Sequence, residues 1–108
     1  MKAFFDDWED GELDQLVRDF DIKPADVEGC EFLYASYTYE DYSGSAYVLF
    51  RKAGKLFQVE GSHCSCYGLE GQWEPDEVVP EQLILRLKKG AFPESDSKAL
   101  SIILKEMI

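Results

Sequence analysis

The chain has 108 residues, 45% of them hydrophobic and 31% charged, with a formal net charge of −11. That balance suits one soluble globule, a single domain over residues 1–108, and no stretch approaches the roughly 20 apolar residues of a membrane-spanning helix. Three cysteines are too few for a disulfide scaffold, and the opening "MKAFFDDWEDGE" has the wrong flanks for a secretory signal, so a cytoplasmic, reducing setting is expected.

The charge is unevenly spread. Eleven of the 22 acids fall in residues 1–31, against only Lys2, Arg18 and Lys23. Clustered lysine and arginine, which phosphate backbones require, are missing there, so no direct nucleic-acid binding is expected. A protein partner with a basic surface would be steered to this end, with Asp6, Asp7, Glu9 and Asp10 as its candidate contacts. The alternative reading of the same residues is a solvated acidic surface that keeps the protein soluble. The run of oxygens in "DDWEDGE" lacks the twelve-residue pattern of a calcium loop.

Within "LDQLVRDF", Leu13, Leu16, Val17 and Phe20 recur at the i, i+3, i+4, i+7 spacing of an amphipathic helix. Phe4, Phe5 and Trp8 precede it, and Trp8 reads as core or helix cap. Pro24 disfavours helix at residue 23, so the helix stops near Asp21 and "KPADVEG" reads as a turn or one short helical turn.

The aromatic, β-branched run "EFLYASYTYE" predicts a strand, with Leu33, Ala35, Tyr37 and Tyr39 on one face and Phe32, Tyr34 and Thr38 on the other. "DYSG" supplies a turn into a second strand, "SAYVLFRK", and Ala53-Gly54 a tight hairpin into a third at residues 55–60. Three strands with short links predict an antiparallel β-meander. Tyr34, Tyr37, Tyr39, Tyr42 and Tyr47 fall within fourteen residues. Tyrosine offers area and a polar tip at interfaces, and Tyr34 and Tyr42 are the members expected to be exposed for a partner.

"EGSHCSCYGLEGQW", residues 60–73, gathers the only histidine and two of the three cysteines. His63, Cys64 and Cys66, with Cys30 or a carboxylate such as Glu60 or Glu70, offer donors that zinc accepts. The adjacency of His63 and Cys64 and the single spacer between the cysteines are awkward for one closed site. A thiol enzyme would pair Cys64 with a base, but an extended segment points His63 and Cys64 to opposite sides. Read structurally, the glycines permit turns and close approach, the cysteines fill space, and Tyr67, Leu69 and Trp73 cover the gap between sheet and helices.

Pro80 is placed to open a helix with Leu83, Ile84 and Leu87 as its stripe and Gly90 as its stop. "ESDSKALSIILKEMI" predicts a last helix capped by Ser95 or Ser97, with Ala99, Leu100, Ile103, Leu104 and Met107 inward. The expected architecture is α+β, a three-stranded antiparallel meander packed with one N-terminal and two C-terminal helices on one face, the tyrosine-bearing face staying partly open.

"ASYTYEDYSGSAYVLFRKAGKLFQVEGSHCSCYGLEGQWEP", residues 35–75, resembles small uncharacterised proteins encoded by bacteria, phages and prophages, in which the "SYTYE", "SAYVLF" and "SHCSCYGLEGQWEP" runs appear in this order. The resemblance carries no catalytic residues. It implies a phage or prophage setting, where small acidic proteins bind, inhibit or adapt host machinery. The expected function is a non-enzymatic binding or accessory protein, monomer or homodimer, without a cofactor. The alternatives are a zinc-stabilised regulatory domain and a thiol-dependent enzyme.

Overall fold

The structure, a computed structural model, describes residues 3–40, 43–63, 68–92 and 94–107. The chain runs β1 (Phe4–Asp6), α1 (Glu12–Phe20), a 3₁₀ turn (Pro24–Val27), β2 (Glu31–Glu40), β3 (Ser43–Lys52), β4 (Lys55–His63), β5 (Asp76–Val78), α2 (Pro80–Lys88) and α3 (Glu94–Met107).

The sheet has five strands in the order β1-β2-β3-β4-β5. This corrects the expected three-stranded antiparallel meander. β2 to β5 pair antiparallel, but β1 lies parallel to β2, with Phe4 opposite Ala35 and Asp6 opposite Tyr37. A parallel neighbour needs a crossover connection, and α1 with the 3₁₀ turn supplies it. Both added strands are three residues long, less than two periods of the alternation by which a strand is read from sequence. Phe4 and Phe5 therefore resembled the approach to a helix, and "DEV" a loop.

Local signals set most element boundaries. Asp21 adopts the left-handed conformation (φ 54°), and the amides of Asp21 and Ile22 return to the carbonyls of Arg18 and Val17, each at 3.1 Å, ending α1. Ala53 and Gly54 both have positive φ, 54° and 79°, the geometry of a two-residue hairpin between β3 and β4. Pro80 opens α2, and Gly90 (φ 71°) follows its end while the Ala91 amide reaches back to the Arg86 carbonyl at 3.0 Å. α3 starts at Glu94, before Ser97, whose hydroxyl bonds the Phe92 carbonyl at 3.3 Å.

Helices cover both faces of the sheet, which corrects the expectation that they share one. On the first face Trp8, Leu16 and Phe20 pack on Ala35, Tyr37, Val48 and Phe50. Leu69 is buried there and Trp73 stacks on Phe50 with ring centroids 5.8 Å apart, so the segment after the described end of β4 does close the gap on this side. On the second face Leu83, Leu100, Ile103 and Leu104 pack on Tyr34, Tyr47, Leu49 and Leu56. The middle of β3, Ala46 to Phe50, is buried at five consecutive positions, the mark of a strand covered on both sides.

The sheet edges are short or occupied. Beyond β5, the Gln72 side chain acts as a substitute strand. Its Oε1 accepts the Ser62 amide at 2.8 Å and its Nε2 donates to the Ser62 carbonyl at 2.9 Å. This satisfies β4 groups that would otherwise stand open. Among the described residues no helix is long and apolar enough to cross a membrane.

Candidate functional site

Cys30 and His63, two of the four ligands of the zinc reading, lie far apart in the sheet. His63 ends β4 opposite Gly44, and a side chain at Gly44 would collide with the His63 ring. His63 Nε2 shares a 2.5 Å hydrogen bond with the Tyr37 hydroxyl, and its ring lies 5.0 Å from that of Tyr39. Cys30 precedes β2 at the opposite end of the sheet. β2 starts at Glu31, which pairs with Arg51 and through it Leu56, whereas His63 lies seven residues further along β4. At strand rise that separation is about 23 Å, so Cys30 and His63 cannot hold one ion. Cys64 and Cys66 lie outside the described residues, among which no group of three His, Cys, Asp or Glu side chains converges. Burial pushes the Cys30 thiol up, against a smaller opposing effect from Lys52, the reverse of an activated thiolate.

Most of the described tyrosines are internal. Tyr34, expected at the surface, is 2% exposed, and its hydroxyl donates to the Asp96 carboxylate of α3. Two causes combine. A bulge falls between Phe32 and Tyr34, so Phe32 joins Ala35 and Tyr37 in the first core while Leu33 and Tyr34 face the second. Strict alternation gave the opposite assignment for Phe32 and Leu33. α3 then covers Tyr34. Tyr47 donates to Gln58 Oε1 at 2.9 Å, and Tyr37 is also buried. Tyr39 is the exposed tyrosine among the described residues, and Tyr42 lies outside them.

Asp96 was missed by sequence reasoning, yet a signal exists. It lies four residues before Leu100 and seven before Ile103, so it extends the apolar stripe of α3 by one turn. A carboxylate in line with a buried stripe is costly without partners. Here Tyr34 and Ser36 both donate to Oδ1, the latter at 2.9 Å.

The expected acidic contacts are where a partner could reach them. Asp6 at the end of β1 and Asp7, Glu9 and Asp10 on the connection into α1 are all exposed. Asp14, Asp21, Asp26 and Glu28 are exposed on α1, the 3₁₀ turn and their flanks. Asp19 is the exception, held by Trp8 Nε1–H at 2.8 Å and Gln15 Nε2–H at 3.0 Å. Between α1 and the 3₁₀ turn runs an open groove of about 760 Å³, floored by Leu13, Val17, Pro24, Ala25 and Val27 and bordered by Asp14, Arg18 and Glu28. An apolar floor bordered by two carboxylates and one guanidinium, within an acidic layer, can take an apolar side chain flanked by cations.

A second depression, about 350 Å³ and lined mostly by residues with polar side chains, opens on the other face of the sheet beside the start of α3. No family model, curated protein or solved structure matches this chain, so the geometry of these surfaces carries the functional argument.

Proposed function

We propose that this chain is a non-enzymatic binding domain whose β1–α1–3₁₀ layer engages a protein segment carrying an apolar side chain flanked by lysine or arginine. The observation that carries the reading is the groove of Leu13, Val17 and Ala25 set within a layer that also bears Asp7, Glu9 and Asp10. The likeness of residues 35–75 to small phage and prophage proteins supports host machinery as the partner and the cytoplasm as the setting. The tyrosines of β2 and β3 support the domain from within, since three of them are core residues.

The test is a peptide of leucines flanked by lysines and arginines, followed by fluorescence anisotropy at two salt concentrations. Asp7→Asn, Glu9→Gln and Asp10→Asn, combined, should weaken binding about tenfold and flatten its salt dependence. Stability should change by less than about 0.5 kcal/mol per site, because these side chains are exposed. Equal binding by the wild type and the combined variant would sink the acidic-layer reading.

A further inference from the structure

We infer that the polar cleft on the α2/α3 face is a binding site for a small hydroxylated amine, its ammonium group seated on Asp96. The floor is a block of cross-strand neighbours. Ser36 pairs with Tyr47 and Tyr47 with Glu60 in one row, and Thr38 pairs with Ser45 and Ser45 with Ser62 in the next. These six positions face the same way by strand alternation, and all of them line the cleft. One step further along the same face, Tyr34 and Leu49 are already core. Asp6, Arg86, Phe92 and Asp96 form the walls.

Two observations set this cleft apart from ordinary wet surface. The buried polar side chains among the described residues, apart from tyrosine, are Ser36 and Asp96, and both line it. Asp96 is 8% exposed, and both of its hydrogen bonds from the described residues end on Oδ1. Tyr34 and Ser36 therefore fix the carboxylate through Oδ1, and no hydrogen bond from the described residues ends on Oδ2, an atom that can also accept. Folding alone would be served better by an apolar residue at this point of the α3 stripe.

The charge selects the ligand. Three carboxylates and one guanidinium line the cleft. Arg86 is already committed, with Nη1 2.6 Å from Glu60 and 2.9 Å from Gln58 Oε1, and the guanidinium 4.4 Å from the centre of the Phe92 ring. An anion would find its cation engaged and Asp96 opposing it. An ammonium would find an acceptor, and hydroxyls on the same molecule would meet Ser36, Thr38, Ser45 and Ser62. A volume of about 350 Å³ is at the small end for ligand pockets, which suits a single metabolite-sized molecule.

Glucosamine, glucose and gluconate share a size and differ in charge, so they test the site when titrated into the ¹⁵N-labelled full chain by NMR. The expected result is saturable shifts for glucosamine at the amides of Ser36, Ser45, Ser62 and Asp96, with affinity about tenfold above glucose and no binding of gluconate. Asp96→Asn retains an acceptor for Tyr34 and Ser36 and should erase the preference for the amine. Ser45→Leu, at an exposed floor position, should block the cleft without touching Asp96, and it serves as the deciding variant if Asp96→Asn does not fold. Equal affinity for glucosamine and glucose, preference for gluconate, shifts centred elsewhere, or no saturable shift would each overturn the inference. Because the cleft and the α1 groove lie on opposite faces of the sheet, peptide binding and amine binding can fail separately.

Discussion

Replacing Trp8 by alanine should lower the unfolding free energy by about 3–5 kcal/mol, the largest single effect expected in this protein. Trp8 has no exposed surface. Its ring lies between Phe20 and Tyr37, with centroid distances of 5.8 and 5.3 Å. Its indole N–H donates to Asp19, and its carbonyl accepts the first amide of α1, that of Glu12, at 2.8 Å. Truncation leaves a cavity between α1 and the sheet and removes a donor from the Asp19 carboxylate, so two costs add. For a domain of this size the loss is a large share of total stability. Urea denaturation followed by circular dichroism measures it. Trp8→Phe, which keeps an aromatic ring and loses only the donor and some volume, should fall between wild type and alanine. A loss below about 1 kcal/mol for Trp8→Ala would mean that α1 is not anchored through this residue. The functional corollary is direct: α1 carries one wall of the groove, so loosening it should also weaken the peptide binding proposed above.

The second large effect is a loss of stability at high pH. Burial raises the hydroxyls of Tyr34, Tyr37 and Tyr47 above the ordinary tyrosine value. Tyr37 is pushed up to about 12, first by burial and then by the charges of Asp19 and Asp7. For Tyr34 the bond to Asp96 adds to burial, and for Tyr47 the positive charge of Arg86 works against it. In the unfolded chain tyrosine ionises near pH ~10. Above that point the unfolded state releases protons that the folded state still holds, so it binds fewer, and stability falls as pH rises. Below about pH 10 the contribution is fully present. The decline should begin there and continue to at least about 12, the Tyr37 value. Each tyrosine contributes a slope of up to about 1.4 kcal/mol per pH unit. Urea midpoints taken from neutral to strongly alkaline pH should therefore drop steeply in the upper part of the range, and tyrosinate absorbance from these three residues should appear together with unfolding. If the full tyrosinate signal developed near pH ~10 while the circular dichroism remained native, the three hydroxyls would not be buried as described.

The two surfaces differ in what holds them. The acidic layer is carried by the β1–α1 connection, a short helix and a 3₁₀ turn, whose position depends on Trp8, Leu16 and Phe20 meeting the sheet. The polar cleft is carried by three central strands and by Asp96, locked between α3 and β2 through Tyr34 and Ser36. The cleft is therefore the more rigid of the two, as a site built on sheet and helix should be.

What the sequence by itself determined here is local. The stripe Leu13, Leu16, Val17 and Phe20 specifies α1 because helical periodicity needs no partner to be read. Ala53-Gly54, Pro80 and Gly90 mark their turns because their backbone preferences act within one or two residues. The exposure of Asp6, Asp7, Glu9 and Asp10 was also legible, since charge resists burial. The five-residue buried run of β3 was legible too, had its lack of alternation been read as cover on both faces.

The tertiary structure decided the rest, because the deciding contacts join residues distant in the chain. β1 and β5 exist as strands only through β2 and β4, and three residues alone specify no partner. The bulge at Leu33 swaps the faces of Phe32 and Leu33 relative to strict alternation, a change visible only against β3. Tyr34 and Asp96, 62 residues apart, meet because α3 returns across the sheet. That return buries the tyrosine and creates the carboxylate site, and no spacing within either segment encodes it.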